Sequence, residues 1–245
     1  VSPADVHDVF VTHIHLDHAG AAGWWAQQGA RIHVHHVGAP HLIDPSKLLT
    51  SAQRIYGAMM DRLWGEILPA EAERVHPLQD GDLIQAGGLT FVALDTPGHA
   101  RHHMVYHLGD FAFTGDAAGI RLPGRAYIQV PAVPPEFDPE AWQESIARMR
   151  AERLSRLYLT HFGPVDEVDA HLSTLANLLS EFAEKVRQEM ARGASREEII
   201  RHLKGWGASR QTAEDAVPQG QISQTGFGSV DTYVDGAMRY WSKRL

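Results

Sequence analysis

The chain has 245 residues, with thirty acidic against twenty-two basic side chains, a formal charge of −8, sixteen histidines and no cysteine. Without cysteine no thiolate can act as nucleophile or metal ligand, and an acidic chain with no basic tract lacks the clustered Lys and Arg that a nucleic-acid backbone demands. No apolar run reaches membrane-spanning length and no signal peptide is visible, so a cytoplasmic protein acting on a small molecule, with neither nucleic acid nor membrane as partner, is expected.

Val6 to Thr12 is rich in β-branched and apolar residues and reads as a strand, and Ala19 to Gln28 reads as a helix. Between them lies Thr12-His13-Ile14-His15-Leu16-Asp17-His18-Ala19-Gly20, a density of metal ligands that packing does not require. A metal ion needs several lone pairs converging on one point, and a tight turn at a strand end can aim alternate side chains into one cavity. His13 and His15 can share one ion while Asp17 and His18 turn towards a second. Imidazole with carboxylate suits zinc, iron or manganese, and nothing in the set selects a soft metal.

The next strand carries His33, His35 and His36, where alternation puts the first two on one face and His36 on the other, and a solvated or partly packed strand face is the reading adopted. Ser46 to Ile67 follows as a helical insertion between Pro45 and Pro69, with Leu48, Leu49, Ile55, Met59, Met60, Leu63 and Trp64 as apolar positions. Core packing is its default role, with Met59, Met60 and Trp64 as candidate contacts for an apolar substrate. Three further strands then run into ligand-bearing turns: Phe91 to Asp95 into Thr96-Pro97-Gly98-His99, Phe111 to Phe113 into Thr114-Gly115-Asp116, and Leu157 to Leu159 into Thr160-His161-Phe162-Gly163-Pro164. His102 and His103 fall on the rim of the same pocket. A proline-rich loop between Leu122 and Pro139 suits a pocket wall and presents Tyr127 towards substrate.

Arg148, Arg150, Arg153 and Arg156 recur at helical spacing over Pro139 to Arg156 among Glu140, Glu144 and Glu152, a solvated helix face. Val168 to Arg192 reads as a long amphipathic helix with Leu172, Leu175, Leu178, Leu179, Phe182 and Val186 as its stripe. A short helix over Ser195 to Lys204 opens on a capping box, the stretch from Gln219 to Ser229 reads as a loop, and Val230 to Lys243 as a final helix. His7, His41, His76, His107, His171 and His202 receive no functional reading, and no Gly-x-Ser-x-Gly elbow occurs.

His-x-His-x-Asp-His followed by Thr-Pro-Gly-His, Thr-Gly-Asp and a late Thr-His resembles the metallo-β-lactamase superfamily, over Val6 to about Pro164. Each motif alone is weak, but together their order and ligand types are specific. The resemblance implies an α/β fold, the αββα sandwich, with metals at the edge of its two sheets. It places that domain on 1–167, with the insertion at about 46–67, and leaves 168–245 as a C-terminal helical appendage. Members carry several strands before the first motif, so the sandwich is expected to lack its first strands and to expose an edge. That edge and the apolar stripe of the long helix point to a homodimer.

Carried over by resemblance, His13, His15 and His99 bind one divalent ion, Asp17, His18 and His161 a second, and Asp116 bridges both. Zinc is the first expectation, with iron or manganese also suited. The missing cysteine sets aside the lactamase classes with a thiolate near the position of Asp116, and His15 stands where flavodiiron proteins usually have glutamate. A bridging Asp116 resembles glyoxalase II, acyl-homoserine lactonases and phosphodiesterase-like branches. Ala112 to Ala117 with Ile120-Arg121 and Gly124-Arg125 also resembles the persulfide dioxygenases, whose single iron is held by two histidines and the aspartate. The last ligand lies in Thr-His-Phe-Gly-Pro rather than Pro-Gly-His, which favours a less characterised, glyoxalase II-like hydrolase branch. Two cations about 3.5 to 4 Å apart lower the pKa of a shared water. The expected reaction is hydrolysis of an ester, thioester or lactone by metal-bridging hydroxide, with Asp17 and Asp116 as its catalytic carboxylates. A mononuclear iron persulfide dioxygenase and a non-catalytic scaffold stabilised by metal are the alternatives.

Overall fold

The computed structural model describes residues 2–122, 125–161, 163–210 and 229–244, and the chain divides into two compact units. The first comprises Val1–Thr96 with Arg101–Phe113, the second Pro97–Ala100 with Thr114–Leu245.

In the first unit β1 (Asp8–Val11), β2 (Arg31–His35) and β3 (Val75–Leu78) form a parallel sheet in the order β1-β2-β3, with Asp8 beside Arg31 and Ile32 beside Val75. Parallel neighbours need crossovers, and short helices supply them. Between β1 and β2 lie α1 (Leu16–Ala19) and α2 (Ala22–Gln27). Between β2 and β3 lie α3 (Ala39–Ile43), α4 (Ser46–Tyr56) and α5 (Met60–Leu63). Val11, Ile14, Ala19, Ala22, Ala26, Ile32, Val34, Ala39 and Leu42 are buried together as the core between this sheet and its helices. β2 alternates Ile32 and Val34 with His33 and His35, and all four are buried, so the strand is covered on both faces.

Against the other face packs an antiparallel meander of β4 (Leu83–Ala86), β5 (Leu89–Asp95), β6 (Met104–Leu108) and β7 (Phe111–Gly115), whose last two residues belong to the second unit. Ala93 stands beside Tyr106, and Tyr106 beside Phe113. Leu78, Ile84, Ala93, Met104 and Tyr106 form the core between the two layers, with Phe10 and Phe91 against it.

Two helices differ from the sequence reading. The expected helix over Ala19–Gln28 starts at Leu16 and is split, so that Asp17 and His18 themselves lie on a helical turn. The expected insertion helix over Ser46–Ile67 breaks at Gly57, whose φ of 52° takes the chain out of the helix into a 3-10 turn before α5.

In the second unit β8 (Arg156–Leu159) and β9 (Gly163–Val165) pair antiparallel, Leu157 beside Val165. The helix α6 (Pro139–Ala151) is capped by Asp138, whose carboxylate accepts the Ala141 N–H at 3.1 Å, and stops short of the expected Arg156 because Arg153 takes a φ of 52°. The long helix α7 (Val168–Ala191) buries the stripe read from sequence, Leu172, Leu175, Leu178, Leu179, Phe182 and Val186. Next come α8 (Arg196–Ser209), opening on the expected Ser195/Glu198 capping box and running past Lys204, and α9 (Val230–Trp241), capped by Ser229. The Trp241 indole N–H donates to Ala183 O at 2.8 Å, tying α9 to α7. The loop reading over Gln219–Gly228, and Gly124 and Phe162 of the family motifs, lie outside the described residues. Among the described helices none is long and apolar enough to cross a membrane.

Candidate metal centre

The first unit supplies four of the expected ligands from the end of β1. That end is fixed from the meander side, since the Tyr106 hydroxyl donates to Val11 O at 2.8 Å and the Met104 N–H donates to Thr12 O at 2.7 Å. Ile14 then points into the core, so His13 and His15 turn to the same side, and His15 becomes the N-cap of α1. His13 is fully buried, and its Nε2 lies 3.0 Å from His15 Nδ1. The His18 ring sits 3.9 Å from that of His13, and His18 Nε2 is 3.3 Å from Asp17 Oδ2, a carboxylate that keeps 18% of its side-chain surface exposed.

His103 and His102 back this turn. His103 is fully buried, stacks on His13 at 4.9 Å, and places Nδ1 2.9 Å from Thr96 Oγ1. Burial, with repulsion from His18, His102 and His15, holds its imidazole well below the usual histidine range. His102 Nδ1 accepts the Ile14 N–H at 3.4 Å. The His33 and His35 side chains are buried, each beside a carboxylate: His33 Nε2 is 2.7 Å from Asp8 Oδ1 and His35 Nε2 3.2 Å from Asp95 Oδ1. The exposed His36 faces Leu78 O instead, so the histidines divide as the alternation implied, and the His33 and His35 side is packed rather than solvated. Of the insertion residues, Met59 is exposed while Met60 and Trp64 are half-buried.

The second unit supplies the other three. Gly98 has a φ of 133°, and a Cβ there would come 2.2 Å from that of Trp142, so only glycine lets the turn before His99 lie on α6. The Ser145 hydroxyl donates to Pro97 O at 2.6 Å and the Asp138 N–H to Gly98 O at 2.8 Å. His99 is fully buried and its Nδ1 lies 2.7 Å from Pro131 O. A carbonyl can only accept, so Nδ1 carries the proton and Nε2 is left with its lone pair, 3.4 Å from Asp116 Oδ2. The other oxygen, Asp116 Oδ1, is 3.4 Å from His161 Nε2. An imidazole lone pair facing a carboxylate oxygen repels unless a proton or a cation lies between them. These donors, all nitrogen and oxygen, therefore fit a borderline or hard divalent ion.

Two residues without a functional reading in the sequence hold Asp116 in place. The Trp142 indole donates to Ala117 O at 2.7 Å and His171 Nε2 donates to Ala118 O at 2.8 Å, fixing the two carbonyls after the ligand. Burial lowers the pKa of His171, against the opposing pull of that carbonyl. Its signal was a polar residue on the apolar stripe of α7, one position before Leu172. Tyr127 places its hydroxyl beside Gly207 of α8, where a Cβ would lie 3.4 Å away, and burial raises its pKa.

Imidazole and carboxylate donors at the strand ends of a mixed α/β fold make up groups that could hold a metal ion. Residues 1–161 match the family model of the metallo-beta-lactamase superfamily, and the chain belongs to that superfamily, whose members are generally metal-dependent hydrolases. A metallo-beta-lactamase fold-containing protein of Sulfurisphaera tokodaii is 31% identical over 144 residues, 57% of this chain and 54% of its own. A hydroxyacylglutathione hydrolase of Fuscovulum blasticum is 28% identical over 127 residues, 51% of this chain and 39% of its own. The chain spans about half the length of the curated relatives it matches. Among solved structures, an archaeal superfamily protein from Sulfolobus tokodaii aligns with a TM-score of 0.62 at 28% identity, over 71% of this chain and 68% of that one. A family protein from Thermus thermophilus aligns over 100% of this chain and 77% of its own, with a TM-score of 0.65, and at 20% identity the likeness is one of fold.

Proposed function

We propose that this protein is a metal-dependent hydrolase of a small-molecule ester, thioester or lactone, acting in the cytoplasm. His13, His15 and His99 hold one divalent ion, Asp17, His18 and His161 a second, and Asp116 serves both, with zinc ahead of iron and manganese. The observation that carries this reading is the carboxylate of Asp116, whose two oxygens each face a different imidazole at 3.4 Å. A single-iron dioxygenase would have no use for His161 beside that carboxylate. Bound ions would supply hydroxide at neutral pH by lowering the pKa of a shared water, and would polarise the substrate carbonyl.

The chain's own residues do the rest. Asp17 is the carboxylate that keeps contact with solvent, which suits it to accept the proton released as the nucleophile forms. Asp116, 4% exposed and anchored through Ala117 and Ala118, orients the ligands, and Asp17 can pass the proton it accepted to the leaving group. His99 keeps one tautomer because Pro131 O accepts from its Nδ1. The hydroxyacylglutathione hydrolase among the relatives makes acylated glutathione the first substrate to try.

The test is metal content per chain by inductively coupled plasma mass spectrometry, on protein purified without added metal, beside an ester and thioester screen. Two ions per chain, with His161→Ala losing one, are expected. A single iron unaffected by His161→Ala would overturn the dinuclear reading, and two ions with no turnover of any acyl substrate would favour a scaffold.

A further inference from the structure

Glycine weakens a helix interior, yet Gly236 stands in the middle of α9. A Cβ there would lie 2.0 Å from Ala132 O and 3.1 Å from Pro134 N, so the bare helix backbone rests on the main chain of the proline-rich loop. Ala132 is fully buried, and its neighbour Pro131 is the residue whose carbonyl accepts from His99 Nδ1 at 2.7 Å. Pro131, Pro134 and Pro135 have no N–H to donate. The Ala132 and Val133 N–H groups turn back on Val130 O and Pro131 O, at 2.9 and 3.0 Å. Main-chain donors of this stretch thus stay within the loop, and packing is left to aim the Pro131 carbonyl.

A second line of contacts leaves the same face of α9, four residues on. The Tyr240 ring, 4% exposed, meets Phe137 edge-on at 6.1 Å, Phe137 meets Trp142 at 6.2 Å, and Trp142 meets His99 at 5.7 Å. Their interplanar angles are 72°, 75° and 71°. Every residue on both routes belongs to the second unit.

We infer that Gly236 is a positioning residue for His99: it seats α9 on the Ala132 main chain and so aims the Pro131 carbonyl, which keeps the proton on Nδ1 and the Nε2 lone pair for a metal ion. The inference rests on the ligand role that the proposed function gives His99, and it makes the C-terminal helix part of the support of the metal centre. A Cβ at position 236 must displace the loop, and the carbonyl moves with it. An imidazole that loses its acceptor can turn and carry its proton on either nitrogen.

The full chain is compared with Gly236→Ala and with Ile199→Ala, which opens a cavity in the buried face of α8. Three quantities are read: zinc affinity by competition with a chromophoric chelator, the His99 tautomer by long-range proton–nitrogen NMR of the metal-free chain, and the urea midpoint. Gly236→Ala is expected to weaken zinc binding about 10- to 100-fold, the range for loss of the outer partner of a ligating histidine, and to divide His99 between its tautomers. Ile199→Ala is expected to lower the urea midpoint while zinc affinity stays within twofold and the tautomer is unchanged. If Gly236→Ala does not fold, Tyr240→Leu, which takes the ring away from Phe137, is read in its place with the same expectations. An unchanged tautomer or zinc affinity overturns the inference, as does an equal loss in Ile199→Ala. A wild type that takes up no zinc, or whose His99 is not protonated on Nδ1, overturns it too. If the wild type binds zinc but hydrolyses no acyl substrate while both shifts appear, the hydrolase reading fails and the role of Gly236 stands.

Discussion

The ligand turn of the first unit and the Asp116 turn of the second reach similar chemistry by different means. His13, His15, Asp17 and His18 lie within six consecutive residues and touch one another directly, nitrogen to nitrogen or carboxylate to nitrogen. His99, Asp116 and His161 are far apart in sequence, and their setting depends on main-chain carbonyls and packing: Pro131 O for His99, the Trp142 and His171 donors for the Asp116 turn, and the bare Cα of Gly98 on α6. Local sequence brings the first set of ligands together, with Tyr106 and Met104 fixing the strand end that carries them, whereas the second set is assembled by tertiary structure alone. Damage to the first should therefore alter metal binding alone, and damage to the second should alter metal binding and stability together.

Asp116→Ala gives the largest effect, since it removes the carboxylate that faces two imidazoles. A loss of at least about 10³-fold in hydrolysis is expected, with metal content by mass spectrometry falling below half. Gly98→Ala follows, because a Cβ must enter Trp142 at a φ disfavoured for any other residue. Urea unfolding should show a loss of about 4 kcal/mol, from strain and overpacking added together. Trp142→Phe strips the donor from the buried Ala117 carbonyl and leaves a gap, for about 3 kcal/mol by the same measurement.

Acidification gives a smaller effect with a definite sign. Burial holds His33 and His171 below the ordinary histidine value in the folded protein, with Asp8 and Ala118 O opposing it. The unfolded chain therefore takes up protons first as pH drops through about 6.5, and stability present above that value is lost below it. Each such histidine contributes a slope of at most about 1.4 kcal/mol per pH unit. Urea midpoints at pH 7.5 and 5.5 check this, and His171→Gln should flatten the dependence. Smallest is the effect of His15→Ala on the metal-free protein, within about 0.5 kcal/mol although bound metal is lost. A loss of 2 kcal/mol there would break the contrast between the two turns.

Legibility in the sequence follows the same division. The His13-to-His18 cluster is readable because its spacing is its geometry, and β1, the α7 stripe and the Ser195 capping box follow from local periodicity and end signals. The break at Gly57 is hidden by apolar spacing that continues from Leu48 to Trp64 across it. The true start of α1 is hidden because the residues that read as ligands also form its first turn. His171 gains its meaning from Ala118, a partner 53 residues away that no window of residues displays.

The hydroxyl of Tyr106 has one proton and two carbonyls to share it, Val11 O at 2.8 Å and His33 O at 3.1 Å. This single phenol pins neighbouring parallel strands to the sheet that lies across from them, two residues before the first ligand. The His-x-His-x-Asp-His cassette is thus not portable: transplanted into another parallel sheet, its letters would arrive intact but unaimed. A graft would have to carry a tyrosine from the opposing layer as part of the motif, though nothing in the motif's spelling asks for one.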